Sequence, residues 1–316
     1  MHPALSVIFF TSASGIGYGL AAILGLSAAF FVLPDNVTFC VAALVLSYGF
    51  VTAGLLSSTL HLGHPERAWR AFSQWRTSWL SREGVMAMIS YIPAGLFGLI
   101  WLATGDSREP ALALLGILMA VIAVITVYCT AMIYASLATV HQWHNAWVVP
   151  NYLLLSVFSG TLWLYVLLRA WGNPGLPQAG LAIVSGVVAV GAKVLYWRFI
   201  DTSSSSSTPE SATGLGHLGQ VHLFEAPHTE SNYLMKEMGF RIARKHAIGL
   251  RAIALTLSFA VPFSLVGASV LVSGTTGAIA ALIAAISASV GIFVERWLFF
   301  AEAKHTVTLY YGAKAA

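Results

Sequence analysis

Long apolar runs, each separated from the next by a polar stretch, make up most of this chain. A helix needs about 20 apolar residues to cross the hydrocarbon core of a bilayer, and eight runs reach roughly that length. Their predicted bounds are 5–33, 37–60, 84–103, 111–140, 146–171, a sixth run that ends near residue 197, 248–272 and 276–300. The pattern therefore predicts an all-α fold, a polytopic membrane bundle with eight transmembrane helices in a single domain over residues 1–316.

The composition excludes an ordinary soluble domain. Hydrophobic residues make up 58% of the chain and charged residues 9%, against roughly 25% charged residues in soluble domains. The net charge of +4 is small, so we expect membrane lipids around the helices and no nucleic-acid partner. Cys40 and Cys129 both lie in apolar runs with no neighbouring Cys or His cluster. The chain therefore holds no iron–sulfur cluster or structural zinc of its own, and no metal site is expected in it.

One long polar loop, at about 201–247, interrupts the pattern between the sixth and seventh spans. It opens with a serine-rich tract that is typical of mobile linkers. The rest of the loop mixes aromatic and charged residues, which indicates a segment that folds against this chain's own helices or against a partner subunit. The candidate docking residues in the loop are His228, Tyr233, Arg241 and His246.

Basic residues gather on one side of the predicted bundle. With eight crossings, both termini share a side with the segment at 61–83, the turn near residue 141 and the long loop. The basic residues of that side are Arg67, Arg70, Arg76, Arg82, Arg198, Lys236, Arg241, Arg244, Lys245, Arg251 and Lys304, whereas the other side has Arg108 and Arg169. Because positively charged loops stay inside, we expect both termini and the long loop in the cytoplasm.

The densest polar segment of the chain, HLGHPERAWRAFSQWRTSWLSRE at 61–83, follows the second span. Its arginines and tryptophans predict a short amphipathic helix in the membrane interface. His61 and Glu83 frame the segment at the ends of two spans, so they can face each other. A quinone headgroup needs hydrogen-bonding groups at its oxygens and a group that exchanges protons, and His with a partly buried Glu suits that chemistry.

We therefore expect a quinone-binding site formed by His61, Glu83, His64, Arg67 and Arg82. A second interpretation stays open for most of these residues. The side chains of His61 and Glu83 can instead be structural hydrogen-bonding groups that fix the bend. The arginines can instead extend to the interface and contact lipid phosphates.

The same segment closely resembles the one after the second helix in the membrane anchors of DMSO-reductase-type complexes, the DmsC branch of the NrfD-like anchors. The matching residues are His61, Leu62, Gly63, Pro65, Arg67 and Ala68, followed at the family's spacing by Ser81 and Glu83. The eight-helix layout extends the resemblance over most of the chain.

This resemblance implies an anchor that holds a molybdopterin catalytic subunit and a four-cluster, ferredoxin-like iron–sulfur subunit at the bacterial cytoplasmic (inner) membrane. The molybdenum active site is then on another subunit, and no catalytic residue is expected in this chain. The anchor exchanges electrons with a quinone, ubiquinone or menaquinone, and carries no haem. The family's quinol-site His and Glu correspond to His61 and Glu83.

The long loop distinguishes this chain from the shorter DMSO reductase anchors. It is more similar to the SoeC-like anchors of cytoplasmic sulfite-oxidising complexes, which favours sulfite oxidation coupled to quinone reduction. Three alternatives remain open: a DMSO-reductase-type anchor that oxidises menaquinol, a purely structural anchor, and a secondary transporter. A transporter is disfavoured because the charges avoid the middle of the spans and no internal repeat is evident.

Lys193 is the main exception to that distribution, and its position near the end of the sixth span permits its side chain to extend to the interface. Glu295 and Arg296 near the end of the eighth span are expected to form a local ion pair or to support the quinone site. A haem held by two histidines needs them well within opposing helices. All ten His of this chain fall at span ends or in loops, which argues against haem.

Overall fold

The computed structural model describes residues 4–30, 33–60, 62–203, 205, 207–225, 227, 228, 230, 232–238 and 245–314. Within this part the regular structure is helical, without strands, and eight helices are long and apolar enough to cross a membrane. They are α1 (Leu5–Ala29), α2 (Val37–Thr59), α3 (Trp79–Thr104), α4 (Pro110–Ala135), α5 (Val148–Ala170), α6 (Leu176–Thr202), α7 (Ala247–Leu271) and α8 (Gly274–Ala301). Within the described residues, the predicted all-α fold with eight helices of membrane-spanning length is confirmed.

Several predicted boundaries differ from those in the structure, and the start of α3 and the end of α4 are among the largest differences. Helix α3 begins at Trp79, five residues earlier than predicted, because the polar residues that precede Gly84 form its first turn. Glu83 is therefore inside the helix instead of before it. Helix α4 ends at Ala135, where its last carbonyl accepts a hydrogen bond of 2.7 Å from the ring Nδ1 of His144, and a turn follows.

Helix α1 lies at the centre of the bundle and packs against α2, α4, α5 and α8. Small residues permit this, as in many membrane helix pairs. A Cβ atom added to Gly25 would lie 2.2 Å from the carbonyl oxygen of Gly116 on α4, and one added to Gly19 would lie 1.9 Å from that of Ser156 on α5. The backbones of these helices are therefore in direct contact.

The turns alternate between two ends of the bundle. At one end, the backbone N–H of Ser107 donates to Asp35 Oδ1 over 2.9 Å, which joins the turn after α3 to the turn after α1. At the other end, the N–H of Thr306 donates to the carbonyl of Thr139 over 3.0 Å, which joins the residues after α8 to the turn after α4. Successive helices therefore run in opposite directions through the bundle.

Candidate functional site

A 3-10 helix, Pro65–Gln74, carries the polar segment from α2 toward α3. Pro65 occupies one of its first positions, where its fixed φ angle suits a helix start, and His64 precedes it. Trp69 and Trp75 expose 65% and 51% of their surface. Their rings therefore face away from the bundle, as aromatic residues do in the interfacial belt of a membrane protein.

Arg82 links this segment to the start of α3 through hydrogen bonds. Its Nε donates to the carbonyl of Trp75 over 3.0 Å, and its Nη2 donates to the carbonyl of Arg76 over 2.7 Å. Its guanidinium carbon also lies 4.2 Å from the centre of the Trp79 ring. Arg82 is thus engaged with backbone carbonyls and an aromatic face, and it does not line the cavity described next.

A cavity of about 590 Å³ opens between the 3-10 helix and the neighbouring ends of α1, α2, α3 and α4. Its size falls within the range of about 300–1,000 Å³ that is usual for small-molecule sites. Most of its wall is apolar, as in such sites generally. The polar and charged residues that line it are Ser58, Thr59, His64, Arg67, Glu83 and Tyr134.

Glu83 is the buried carboxyl of this cavity. It exposes only 4% of its surface, and the Thr130 hydroxyl on α4 donates a hydrogen bond to its Oε1. Gly84, the next residue, leaves room for the ring of Phe72, since a Cβ atom at Gly84 would lie 3.1 Å from Phe72 Cε1. The phenyl ring can therefore cover the start of α3 and form one wall of the cavity.

His64 and Arg67 lie at the outer part of the same cavity. Their side chains are 66% and 56% exposed, so they are close to solvent, unlike Glu83. The ring Nδ1 of His64 is 3.0 Å from Glu66 Oε1, and Arg67 Nε is 3.7 Å from the same oxygen. The cavity thus has a charged mouth and an almost fully buried carboxyl in its wall.

The structure brings Glu83, His64 and Arg67 together and places Arg82 beside them, outside the cavity. His61 lies outside the described residues, so its role stays a prediction.

A second, more apolar cleft of about 790 Å³ lies between α2 and α3. On α2, Leu55 lines the first cavity and the next residue, Leu56, lines the second. On α3 it extends from Tyr91 to Leu102, starting about 12 Å along the helix from Glu83 at a rise of about 1.5 Å per residue. The two spaces therefore follow the same pair of helices.

Two tyrosines bridge α2 and α3 at the start of this cleft. The Tyr48 hydroxyl donates to the carbonyl of Ser90 over 2.8 Å, and the Thr52 and Tyr91 hydroxyls are 2.7 Å apart. The rings of Tyr48 and Tyr91 have centres 5.0 Å apart. These contacts hold the two helices together at this level and leave apolar space further along them.

A cluster of three buried charges lies between α6 and α8. Lys193 Nζ donates a hydrogen bond to Glu295 Oε1, and Arg296 Nη1 lies 3.2 Å from Glu295 Oε2. The exposed fractions of Lys193, Glu295 and Arg296 are only 1%, 3% and 3%. The predicted local ion pair of Glu295 with Arg296 is present. Lys193 does not extend to the interface, although its position near the end of the span permits this, because Glu295 holds the ammonium inside the bundle, where it lies 4.1 Å from the centre of the Tyr196 ring.

A second charge cluster occupies the nearby helix ends. Arg251 donates to both oxygens of Asp201, over 2.6 and 2.9 Å, and through Nε to Glu302 Oε1 over 2.9 Å. Asp201 is half exposed, whereas Glu302 is buried. Burial raises the pKa of the Glu302 carboxyl, and the neighbouring Arg251 opposes that rise.

The candidate docking residues of the loop lie in different settings. The His228 ring stacks on that of Tyr311 with centres 6.2 Å apart. Tyr233 is exposed and begins a short helix, Tyr233–Met238, beside the C-terminal segment. His246 is exposed and precedes α7. Arg241 lies outside the described residues.

Comparison with known proteins identifies relatives over the full chain. Residues 1–312 match the family described as the DMSO reductase anchor subunit, DmsC. A protein from Allochromatium vinosum that is named as a subunit of sulfite dehydrogenase is 32% identical over 329 aligned positions, which span the full length of both proteins. A protein of Escherichia coli that is named as part of the anaerobic dimethyl sulfoxide reductase is 33% identical over 145 residues, which make up 43% of this chain and 50% of that protein.

Proposed function

The chain belongs to the family of DMSO reductase anchor subunits, and from this premise we propose that it passes electrons between the iron–sulfur subunit of its complex and the membrane quinone pool. As a member of that family it is the anchor subunit of a molybdoenzyme complex, with the catalytic and iron–sulfur subunits as its partners. The molybdopterin and the iron–sulfur clusters belong to those partners.

One observation carries the proposal: a single buried carboxyl, Glu83, lies in the wall of a largely apolar cavity at the end of the bundle. The cavity fits a quinone headgroup in size and polarity. When bound there, a quinone accepts two electrons and takes up two protons on reduction to quinol. Glu83 then holds and delivers a proton, because a carboxyl shielded from water is suited to proton exchange with a bound substrate.

The other side chains have distinct roles in this proposal. Thr130 fixes the Glu83 carboxyl by its hydrogen bond. His64 and Arg67 bind the quinone headgroup at the mouth of the cavity. His61, which the sequence predicts for the same site, is a further hydrogen-bonding group. Arg82 acts indirectly, since its hydrogen bonds keep the 3-10 helix over the cavity.

The cleft between α2 and α3 supplies a place for the apolar part of the same substrate. Membrane quinones carry a long isoprenoid tail, and the cleft is lined mainly by apolar and small residues along two helices. The cavity and the cleft follow each other on α2. We therefore assign the headgroup to the cavity and the tail to the cleft.

The orientation of the bundle in the membrane is also part of the proposal. By the positive-inside rule, both termini, the 3-10 helix and the loop at 201–247 face the cytoplasmic side of a bacterial inner membrane. The partner subunits then dock on the cytoplasmic face, close to the mouth of the cavity. His228, Tyr233, Arg241 and His246 are the docking residues proposed for the loop.

Sulfite is the proposed substrate of the catalytic subunit, because the relative that matches the whole chain is named as a sulfite dehydrogenase subunit. The partial match to a dimethyl sulfoxide reductase protein favours a second candidate, a complex that oxidises menaquinol. The two candidates differ in the direction of electron flow.

The test is purification of the complex from native membranes in mild detergent, with mass spectrometry of the co-purifying subunits and assays in both directions. We expect a molybdenum subunit, an iron–sulfur subunit and sulfite-dependent reduction of a short-chain quinone analogue. Quinol-dependent reduction of dimethyl sulfoxide without sulfite activity would establish the second candidate. A chain that purifies without partners, and with no quinone activity, would overturn the proposal and favour a transporter.

A further inference from the structure

A small cavity deep in the bundle lies behind Glu83. It has a volume of about 10 Å³, and α1, α4, α5 and α8 all contribute to its wall. That space is sufficient for about one water molecule, provided that polar groups are available to bind it. The polar side chains of the wall include Ser12, Thr130, Tyr152 and Arg296.

Several of these polar groups have no partner among the described residues. The hydroxyls of Ser12 and Tyr152 and the Nε of Arg296 are fully buried without a hydrogen bond. The three residues expose 5%, 3% and 3% of their surface. Buried polar groups are hydrogen-bonded to protein or to ordered water in most structures, so groups without a protein partner around one cavity indicate a water site.

The wall of the small cavity includes residues that contact two buried carboxyls, Glu83 and Glu295, which are far apart in the sequence. Thr130 lines it and donates to the Glu83 carboxylate. Arg296 lines it on the other side and is paired with Glu295. The Arg296 guanidinium also lies over the ring of Tyr152, with its carbon 3.6 Å from the ring centre. A water in the cavity is therefore adjacent to groups that contact both buried carboxyls.

The charge cluster continues toward the surface. Lys193 Nζ and the Arg251 guanidinium both face the Trp197 ring, at 5.0 and 5.3 Å from its centre. Arg251 binds Glu302 and the half-exposed Asp201. A series of ionisable groups thus leads from the end of α6 to the cavity.

We propose that the water site in this cavity is a proton relay that supplies Glu83 from the interior, through Thr130, with the Lys193 ammonium as the buried proton source and Glu295 as the carboxylate that passes its proton on. The inference rests on the proposed function, because it assigns a path to the protons that quinone reduction consumes. The relay reaches Glu83 from behind, whereas the substrate reaches it from the mouth. Proton supply and quinone binding therefore use different sides of the same carboxyl.

Each transfer moves one proton and no electron. After Glu83 gives up a proton, the Thr130 hydroxyl passes its proton to Glu83 Oε1 and takes one from the water. The water takes a replacement from Glu295, whose carboxylate receives that proton from the Lys193 ammonium, and Lys193 is then reprotonated from the cytoplasmic end of α6. Arg296 keeps its charge throughout, since a guanidinium does not deprotonate in proteins, so it positions the water and Glu295. Tyr152 supplies a further hydroxyl to the water.

The decisive variant is Tyr152→Phe in the purified complex with all of its subunits. It removes one buried hydroxyl and keeps the ring that supports Arg296, so the fold is unaffected. We expect the rate with a short-chain quinone analogue to fall about tenfold, less than the roughly 10²–10⁴-fold effect of losing an acid–base group itself. The ratio of the rates in H₂O and D₂O should rise, and the KM for the quinone analogue should not change.

Tyr165→Phe on the same helix is the matched control. Tyr165 is fully buried, and its hydroxyl is 2.7 Å from Ser269 Oγ, outside the small cavity. This variant should keep the wild-type rate and isotope effect, although it loses a hydrogen bond. The double variant Ser12→Ala with Tyr152→Phe should be slower than Tyr152→Phe alone.

The outcomes separate this inference from the proposed function. Wild-type rates and isotope effects in both Tyr152→Phe and the double variant would overturn the relay. If Glu83→Gln were inactive in the same preparation, the proposed quinone site would still be supported although the relay was rejected. If Glu83→Gln retained the wild-type rate, the proposed function would fail, and the relay with it.

Discussion

Thr130 on α4 donates a hydrogen bond to Glu83 on α3, and neither side chain reaches the surface of the bundle. The two residues are 47 positions apart in the chain. Their contact joins two spaces: the large cavity that Glu83 lines and the small polar cavity that Thr130 lines. One carboxyl is thereby accessible to a substrate on one side and to the polar interior on the other.

The substitution Glu83→Gln should abolish quinone-coupled turnover and leave the complex intact. The amide has nearly the same shape and still accepts the Thr130 hydrogen bond, but it cannot transfer a proton. We expect a loss of about 10²–10⁴-fold in the rate with a quinone analogue. Transfer of electrons from the substrate to the iron–sulfur clusters, followed by their optical or EPR signal, should be unchanged.

The control for that experiment is Arg70→Ala, which removes an exposed charge of the same segment. Exposed charges contribute little to stability, about 0–1 kcal/mol. Its turnover should stay near the wild-type value. A Glu83→Gln complex with normal quinone-dependent rates would contradict the assignment of Glu83.

The substitution Gly84→Val should weaken quinone binding more than it slows turnover. Even the first added carbon would lie 3.1 Å from Phe72 Cε1, so the phenyl ring, which lines the cavity, must shift. We expect the KM for a quinone analogue to rise several-fold. Gly191→Val on α6 is a suitable control, because an added Cβ there meets no atom within 4 Å. Equal KM values in the two variants would show that the Phe72 wall does not border the binding site.

Removing different charges from the buried cluster of Lys193, Glu295 and Arg296 should lower the stability of the protein by different amounts. Glu295→Gln leaves two buried cations without an anion, whereas Lys193→Met leaves one cation paired with one anion. Because an unpaired buried charge costs about 3–5 kcal/mol, Glu295→Gln should be less stable than Lys193→Met by an amount of that order. Thermal unfolding of the purified protein in one detergent measures the difference. A larger loss for Lys193→Met would contradict the pairing described for Glu295.

The substitution Gly25→Ala should destabilise the bundle, because the new methyl group would lie 2.2 Å from the carbonyl oxygen of Gly116. Helices α1 and α4 must then separate, and overpacking of this kind costs about 1–3 kcal/mol or more. The Tm and the folded yield should both fall. Gly180→Ala on α6 meets open space and should be neutral or slightly stabilising, since Ala favours helices by about 0.5–1 kcal/mol over Gly.

The eight helices were predictable, because apolar runs long enough to cross a bilayer are visible in the sequence without knowledge of packing. The position of Glu83 was also predictable in outline, since it follows a dense polar segment at the start of a span. Its burial was not. The first turn of α3 contains Ser81, Arg82 and Glu83, and only contact with α4 decides which of these polar side chains points inward.

The burial of the Lys193 side chain could not be predicted for a similar reason. Its partner Glu295 is 102 residues away, and both lie near the ends of helices that are apolar on most faces. A lysine at such a position usually extends to the interface. Here a carboxylate from α8 binds it inside the bundle. Unpartnered hydroxyls around a small cavity are likewise invisible in a sequence, because they depend on four helices at once.

The central position of α1 has a consequence for how the protein is made. This helix is synthesised before the other seven spans, yet its closest backbone contacts are with α2, α4 and α5, and α5 ends at Ala170. Through the synthesis of more than a hundred further residues, its glycine-lined surface faces lipid or the insertion machinery without its final neighbours. Biogenesis of this anchor therefore depends on retaining the first helix in place until the fifth arrives.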